Sequence, residues 1–249
     1  MSLSDEELER YARHIVLREI GGAGQVRLKA ARVLVIGAGG IGSPTIQYLV
    51  AAGVGRITVV DDDLIDLSNL QRQTLFATDD IGDFKGLVAS VRAIALNPNV
   101  DVSAAIERID TANADQVRNF DVVVDGTDNF ATRLLVADAC LRHRIPLVSA
   151  AVAEFEGQLG VFRGWEADKP CYRCFVGHDP EREGVSCAEQ GVLGALTGVM
   201  GSLAALEAIR AIVPFGEDSA GKLLLVDALN LRFRTLSLPK DPGCPSCAA

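Results

Sequence analysis

The sequence lacks the features of a membrane-spanning, secreted or nucleic-acid-binding chain. Its 249 residues contain no run of 18 consecutive apolar residues, which is roughly the length that crosses a bilayer as a helix. Residues 1–14 are polar and acidic, unlike a signal peptide. Lysine and arginine form no cluster, and the 33 acidic residues outnumber the 24 basic ones. We therefore expect a cytoplasmic protein that binds neither membranes nor nucleic acid.

The composition is that of a folded globular protein, with 49% hydrophobic and 23% charged residues. Strand-like and helix-like segments alternate over the first 150 residues, which predicts a doubly wound, mostly parallel, Rossmann-like α/β sheet with helices before its first strand. The pattern changes after residue 154, where further strands would extend the sheet. We expect one domain over residues 1–249, with its two parts at about 30–153 and about 154–249.

Periodicity and turn residues set the predicted elements. Strands are predicted over residues 32–36, 56–60, 100–106, 122–124, 146–153, 157–162 and 222–227. Helices are predicted over residues 5–19, from the glycine motif to residue 53, and over 85–96, 113–119, 133–144 and 193–213. The polar segment between Cys174 and Cys187 is predicted to be a loop.

A glycine-rich motif, GAGGIG, follows the first predicted strand and opens a helix. Its glycines are Gly37, Gly39, Gly40 and Gly42. Glycine lets the backbone approach a phosphate, and the helix N-terminus offers free N–H groups. Asp61 ends the next strand, where an acidic residue commonly binds a ribose hydroxyl. The pair predicts a nucleotide site without naming the nucleotide, and the alternative is a tight packing turn.

Four cysteines are arranged as two Cys-x-x-Cys pairs far apart in the chain: Cys171, Cys174, Cys244 and Cys247. Four thiolates are what a closed, tetrahedral zinc site requires. The wide separation predicts a clip that ties the C-terminal tail to a distant loop, and the alternative is two unrelated redox or buried pairs.

Two cysteines stand apart from these pairs. Cys187, in the predicted loop, is either a nucleophile or an incidental thiol. Cys140 lies among apolar residues of a predicted helix and should belong to the core. The three histidines have no partners at catalytic spacing, so we expect no histidine catalysis.

Four polar residues fall near the carboxyl ends of predicted strands: Asn69, Arg72, Lys85 and Asp128. Open α/β sheets bind ligands at those ends. Arginine and lysine would neutralise a polyphosphate, and Asp128 could hold magnesium. Alternatively, each of the four is a solvated surface residue.

Several segments together resemble the MoeB/ThiF/HesA family, the bacterial relatives of ubiquitin-activating enzymes. They are RYARHIVL at 10–17, GAGGIG, the VVDDD strand end, SNLQRQ at 68–73, TDN at 127–129, PCYRC at 170–174 and the terminal CPSC. The resemblance runs in this order along the whole chain and is strongest to members that serve molybdopterin synthase. It implies ATP-dependent adenylylation of the C-terminal glycine carboxylate of a small ubiquitin-fold sulfur carrier ending in Gly-Gly, with release of pyrophosphate.

By the same resemblance, Asp61 would hold the ribose, Asn69 the phosphates and Asp128 a magnesium ion. Arg72 and Lys85 would stabilise charge, and Arg13 would reach into the other subunit of a homodimer. Further nucleotide-site residues would be Asp63, Ser68 and Asn129. Residues from about 154 onward would bind the carrier and hold zinc. Cys187 would not be needed for adenylylation, although some relatives use a loop cysteine covalently.

Three alternatives stay open at this point. The same chemistry could serve thiamine thiazole synthesis or another thiolation carrier. A nicotinamide-dependent oxidoreductase would explain GAGGIG and Asp61 but leaves Lys85 and the paired cysteines without a role. A non-catalytic, zinc-clipped binding module would not need Arg72, Lys85 or Asp128.

Overall fold

The computed structural model describes residues 2–177 and 191–248, and eight strands in these ranges form one sheet in the order β3-β2-β1-β4-β5-β6-β7-β8. The strands are β1 (Arg32–Ile36), β2 (Arg56–Val60), β3 (Asp101–Ala105), β4 (Val122–Asp125), β5 (Leu147–Ala153), β6 (Glu156–Phe162), β7 (Lys222–Asp227) and β8 (Arg232–Ser237). The helices are α1 (Asp5–Arg10), α2 (Ala12–Ile15), α3 (Gly21–Ala30), α4 (Gly42–Ala51), α5 (Lys85–Leu96), α6 (Phe130–His143), α7 (Tyr172–Val176) and α8 (Gly194–Ile212).

The first five strands are parallel, as the alternating pattern predicts. β1 lies at the centre, where Ile36 pairs with Val60 of β2 on one side and with Asp125 of β4 on the other. Parallel strands need crossover connections, and these contain α4, α5, the 3₁₀ helix Ala114–Asn119 and α6 in turn. The predicted doubly wound α/β fold is therefore confirmed.

Two hydrophobic cores lie on opposite faces of the sheet, because successive side chains of a strand point to opposite faces. Val33 and Val35 belong to the core that includes residues of α4, α5 and α8. Leu34 and Ile36 belong to the other core, together with residues of α6. Burial on both faces explains why β1 reads as a continuous apolar run in the sequence.

The sheet continues beyond β5 with antiparallel strands, and this extension was also predicted. β8 forms its last strand and was not predicted. All six residues of β8 are exposed, so the strand has no buried face that would leave an alternating pattern in the sequence.

Helix α8 is long and apolar enough, by length and composition, to cross a membrane, and it is the one such helix in the part of the chain that the structure describes. It packs along α4, β5 and β6. A side chain on Gly201 would put its Cβ 2.3 Å from the carbonyl oxygen of Ile41, so glycine permits this close contact. Buried residues such as Met200 and Ala204 show that its composition suits packing within the core.

The predicted helix over residues 5–19 is wrong in its extent, because the chain breaks at Tyr11 into α1 and α2. Tyr11 is 3% exposed, its hydroxyl accepts a hydrogen bond from Asn97, and its ring occupies the space beside Gly53. This tertiary contact is absent from the local sequence pattern. Helix α3 was not predicted either, because its glycine-rich start disfavours a helix.

Smaller differences concern the remaining elements. The short helix predicted over 113–119 is a 3₁₀ helix at Ala114–Asn119, and the short α7 was not predicted. Helix α6 begins at Phe130, three residues before its predicted start. The other predicted strands and helices agree with the structure to within one or two residues.

Gly55 precedes β2 at a point where the chain has no room for a side chain. A Cβ there would lie 1.8 Å from the carbonyl oxygen of Lys29. We expect Gly55→Ala to lower the free energy of unfolding by about 1–3 kcal/mol or more, because backbone must move. Gly22 in α3 is the matched control, since a Cβ there would meet no atom within 4 Å.

Gly22→Ala should leave stability unchanged or raise it by about 0.5–1 kcal/mol, the usual effect of alanine within a helix. Urea unfolding of both variants and of the original chain measures these differences. Equal midpoints for Gly55→Ala and the original chain would contradict the packing described here.

Candidate functional site

A cavity of about 730 Å³ opens where β1, β2 and β4 end. The chain runs from β1 outward through β2 and β3 on one side of the sheet. It then returns to the other side of β1, where β4 and β5 are added, so the strand order reverses at β1. Such switch points are where open α/β sheets bind ligands. The predicted site residues in the cavity wall are Gly37, Gly39, Gly40, Asp61, Asp63, Asn69, Arg72, Lys85, Asp128 and Asn129.

The GAGGIG segment turns the chain from β1 into α4. Gly37 has a φ of 89° and donates its N–H to the carbonyl oxygen of Val60, at 2.9 Å. A side chain on Gly42 would place its Cβ 1.9 Å from the carbonyl oxygen of Gly37, so the turn itself requires glycine. Gly42 is absent from the cavity wall, whereas Gly39 and Gly40 belong to it. The motif thus combines the packing turn with a ligand-facing loop.

Asp61 ties the end of β2 to this loop. One carboxylate oxygen accepts the N–H of Ala38 at 2.7 Å, and the other accepts the N–H of Asp63 at 2.9 Å. Burial raises the pKa of Asp61, and the Ala38 hydrogen bond and nearby Lys85 offset part of this effect. A carboxylate fixed at the cavity wall has the geometry of a hydroxyl acceptor.

Lys85 begins α5 and is buried, with its ammonium 2.7 Å from a carboxylate oxygen of Asp63. The Asp63 side chain is 68% exposed, so this pair reaches from the cavity wall toward solvent. A buried ammonium whose charged partner is exposed to solvent can exchange that partner for another anion.

Asn69 and Arg72 follow β2 on an irregular segment that contains the 3₁₀ helix Leu67–Asn69. The guanidinium of Arg72 donates to the carbonyl oxygen of Ser68 at 3.0 Å, which holds Arg72 at the cavity wall. Ser68 itself is exposed and does not line the cavity. Its hydroxyl accepts a hydrogen bond from the Asn69 side chain at 3.4 Å, so Ser68 touches the predicted site residues from outside the cavity wall.

The TDN segment follows β4 and is held from beneath by Arg133. The Arg133 guanidinium donates to the carbonyl oxygens of Thr127 and of Ala150. Burial opposes the charge on Arg133, but the neighbouring Asp125 keeps its pKa raised. Asp128 and Asn129 line the cavity, and the Asn129 side chain also caps α6 by accepting the N–H of Thr132. The role of Arg133 could not be predicted from the sequence, because only the fold brings this residue next to the loop.

Arg13 does not line the cavity of its own chain. It lies exposed on α2, beside Val16, which is 75% exposed, and Leu17, which is 50% exposed. The structure therefore does not join Arg13 to the other predicted residues within one chain.

Sequence reasoning also missed Gln73, the last residue of SNLQRQ. Gln73 lines the cavity but is only 3% exposed, and its buried side-chain oxygen Oε1 has no hydrogen-bond partner among the described residues. The SNLQRQ motif predicted that residues 68–73 belong to the site, but it did not indicate a role for the Gln73 side chain.

The four paired cysteines come together at the C-terminal tail, as the spacing predicts. Their sulfur atoms all lie within 4.8 Å of one another, and the closest pairs are 3.5–3.8 Å apart. Four sulfurs around a tetrahedral zinc at about 2.3 Å would be separated by about 3.8 Å. The donor set and spacing therefore fit a structural zinc ion.

Cys140 is buried in the core on α6, as predicted, and burial raises the pKa of its thiol. Such a thiol stays protonated and unreactive. Cys187 lies outside the described residues.

The ThiF family model matches residues 11–246. A sulfur carrier protein adenylyltransferase of Thermus thermophilus is 48% identical over 99% of this chain and 93% of that protein. The SAMP-activating enzyme E1 of Haloferax volcanii is 45% identical over 99% of this chain and 91% of that protein. A crystal structure of E. coli MccB with ATP matches with a TM-score of 0.84 at 25% identity, over 98% of this chain and 75% of that one.

We expect protein purified without chelator to contain about one zinc ion per chain, held by Cys171, Cys174, Cys244 and Cys247. Cys244→Ser should lose most of this zinc, because three thiolates leave the site open. Cys140→Ala is the matched control and should retain it, since Cys140 lies in the core away from the cluster. Metal analysis measures both variants. Full zinc content in Cys244→Ser, or none in the original protein, would contradict the site.

Proposed function

This chain belongs to the ThiF family and is an adenylyltransferase, and we propose that it activates the C-terminal glycine carboxylate of a small ubiquitin-fold sulfur carrier ending in Gly-Gly. ATP is the adenylyl donor, and the products are an acyl adenylate and pyrophosphate. The single observation that carries the proposal is the convergence of a glycine loop, the fixed carboxylate of Asp61 and the cationic side chains of Arg72 and Lys85 on one cavity. The similarity of this chain to the sulfur carrier protein adenylyltransferase of Thermus thermophilus and the SAMP-activating enzyme E1 of Haloferax volcanii supports the proposal.

ATP would lie along the edge of the sheet. Asp61 would accept a ribose hydroxyl, with Gly37, Gly39 and Gly40 leaving room for the nucleotide. The phosphates would extend toward Asn69, Arg72 and Lys85. In this arrangement Lys85 exchanges its ion pair with Asp63 for a phosphate oxygen.

The reaction is an in-line displacement at the α-phosphorus. A carboxylate oxygen of the carrier forms the new P–O bond, and the bond from the α-phosphorus to the bridging oxygen of the β-phosphate breaks. The carrier carboxylate and the triphosphate repel each other. Arg72 and Lys85 supply positive charge at the place where these two anions meet. Removal of one such group typically costs about 10²–10³ in rate.

Magnesium would be held by Asp128 together with phosphate oxygens, and it would neutralise charge on the triphosphate. The Asp128 carboxylate in the cavity wall fits this role. Asn129 would support the same loop from its position at the start of α6. Zinc at the four cysteines would be structural, because four protein ligands leave no open coordination position.

The carrier tail would enter from the far side of the cavity, where its wall is formed by residues 151–153, Gln158 and Val192. Residues 151–153 end β5, Gln158 lies near the start of β6 and Val192 precedes α8, so the part of the chain from about residue 154 would contact the carrier. We propose that the carrier belongs to molybdopterin biosynthesis, because the sequence motifs most resemble those of family members that serve molybdopterin synthase. Carriers of thiamine thiazole synthesis or of other thiolation reactions are the alternatives.

The more distant alternative, a nicotinamide-dependent oxidoreductase, leaves the cavity unexplained. Hydride transfer has no use for two cationic side chains beside the glycine loop, whereas triphosphate cleavage needs them.

We further propose that the protein acts in the cytoplasm.

We propose a homodimer in which Arg13 acts on the triphosphate of the partner subunit. Three observations support it: Arg13 is exposed, it lies outside its own cavity, and it is followed by the exposed apolar residues Val16 and Leu17. Helices α4 and α5, which pack against each other, also expose Tyr48 and Val91. Exposed apolar surface of this kind marks an interface.

Carrier-dependent exchange of labelled pyrophosphate into ATP tests the function. Each small ubiquitin-fold protein with a C-terminal Gly-Gly from the same organism is assayed separately, and one should support exchange. Lys85→Ala should lower that exchange by about 10²–10³, because it removes charge from the cavity. Lys222→Ala is the control. It removes a lysine paired with Glu217 on the sheet extension and should leave the exchange unchanged.

Cys187→Ala should also retain the exchange, since no thiol enters the adenylylation step. Exchange without any carrier, or undiminished exchange in Lys85→Ala, would contradict the proposal.

Mixed dimers test the role of Arg13. Arg13→Ala and Lys85→Ala homodimers should both be nearly inactive. In a mixed dimer, the site that keeps its own Lys85 would receive Arg13 from the partner, so one of its two sites should recover. Pyrophosphate exchange is measured after subunit mixing, with heterodimer formation checked by differently sized tags. No recovery in confirmed heterodimers would show that Arg13 does not act across the interface.

A further inference from the structure

Helix α7 belongs both to the cavity wall and to the cysteine cluster, the four paired cysteines at the C-terminal tail. Cys171 stands directly before the helix and Cys174 lies within it, so the helix carries two of the four sulfurs. Tyr172, Phe175 and Val176 of the same helix line the nucleotide cavity. This short helix thus joins the C-terminal tail to the place where ATP would bind.

An ion pair fixes α7 on α6. Two nitrogens of the Arg173 guanidinium donate to the two carboxylate oxygens of Asp138, both at 2.7 Å. A two-point pair of this kind sets the orientation of its partners as well as their distance. Helix α6 begins at Phe130, directly after the TDN segment, so α7 has a defined position against the helix that follows Asp128.

Tyr172 connects α7 to Arg133, the residue that holds the TDN segment. The Tyr172 side chain is buried, and its ring packs edge-on against Phe162 with a centroid separation of 5.2 Å. Tyr172 and Arg133 form a side-chain hydrogen bond, and both line a second, small cavity together with Ser149. The packed ring therefore fixes the place where the Tyr172 hydroxyl meets the guanidinium.

Arg133 and Asp125 together hold Thr127, the residue before Asp128. Asp125 accepts the Thr127 N–H at 3.0 Å and the Thr127 hydroxyl at 2.7 Å, and Arg133 donates to the Thr127 carbonyl oxygen. Burial lowers the pKa of Arg133, but Asp125 and Tyr172 outweigh this effect and keep it raised. Because a buried charge is costly unless its partners are in place, the peptide that leads into Asp128 depends on Tyr172.

We propose that Tyr172 is a positioning residue, which links the cysteine cluster to Arg133 and so holds Asp128 where the proposed magnesium ion binds. The inference rests on the proposed function, because that function gives Asp128 its ligand. The cysteine cluster then does more than tie down the tail, since it also supports the loop that carries Asp128. The PCYRC motif does not indicate this link, because only the fold brings Tyr172 to Arg133.

The magnesium dependence of carrier-dependent pyrophosphate exchange tests this role. Tyr172→Phe removes one hydroxyl and keeps the packed ring. We expect it to raise the magnesium concentration that gives half-maximal exchange about 3- to 10-fold, the effect of one hydrogen bond. The zinc content should stay that of the original protein, because all four cysteines of the cluster are present.

Tyr11→Phe is the matched control. It also removes a buried hydroxyl, one that accepts a hydrogen bond from Asn97. Each variant should lower the melting temperature by no more than about 4 °C, the effect of one hydrogen bond in a chain of this size. Only Tyr172→Phe should change the magnesium dependence, because the Tyr11 hydroxyl has no contact with Arg133.

Two further variants locate the effect. When Tyr172→Phe is added to Asp128→Asn, it should not raise the magnesium requirement further, because the residue through which Tyr172 acts has lost its charge. Cys244→Ser, which should lose zinc, should raise the magnesium requirement in the same direction as Tyr172→Phe, because α7 loses its anchor on the tail.

The outcomes separate the two proposals. An unchanged magnesium requirement in Tyr172→Phe would overturn the role of Tyr172, and so would the same fold increase with Asp128 and with Asp128→Asn. A zinc-free Cys244→Ser that keeps the original magnesium requirement would overturn the link to the cysteine cluster. An original protein without carrier-dependent exchange, or with exchange that needs no magnesium, would instead contradict the proposed function.

Discussion

The parallel pairing of β1 with both β2 and β4 is the constraint on which the site depends. Ile36 pairs with Val60 on one side and Asp125 on the other, so three strands end at the same edge of the sheet. The glycine loop, Asp61 and the TDN segment follow those ends directly and must meet. Burial of β1 on both faces holds this edge rigid, because neither neighbouring strand can slip without exposing an apolar core.

The second constraint is electrostatic. Without ligand, Lys85 is buried and paired with the exposed Asp63, while Arg133 is buried beside Asp125. The first pair can open toward solvent, and the second cannot. Of these two cations, Lys85 is available for phosphate, and Arg133 fixes the loop that carries Asp128. Because one cation fixes the loop and the other can pair with phosphate, the site can accommodate two anions that repel each other, the triphosphate and the carrier carboxylate.

Much of this could be predicted from the sequence, because the signals are local. Gly37 and Asp61 flank buried strands, and two Cys-x-x-Cys pairs supply a complete ligand set whatever their separation. What could not be predicted depends on packing between distant segments. Tyr11 breaks a helix because its hydroxyl meets Asn97, and Gln73 becomes buried only when its segment folds against the glycine loop. Ser68 belongs to the same motif yet faces solvent, which a one-dimensional pattern cannot distinguish.

The central claim is that a carrier carboxylate attacks the α-phosphorus of ATP in this cavity. The most direct measurement uses a carrier whose C-terminal carboxylate is labelled with ¹⁸O, incubated with the enzyme, ATP and hydroxylamine. Hydroxylamine cleaves an acyl adenylate at its carbonyl carbon, so the AMP released should carry one ¹⁸O atom by mass spectrometry. AMP formed in a carrier-dependent manner without ¹⁸O would contradict attack by the carboxylate.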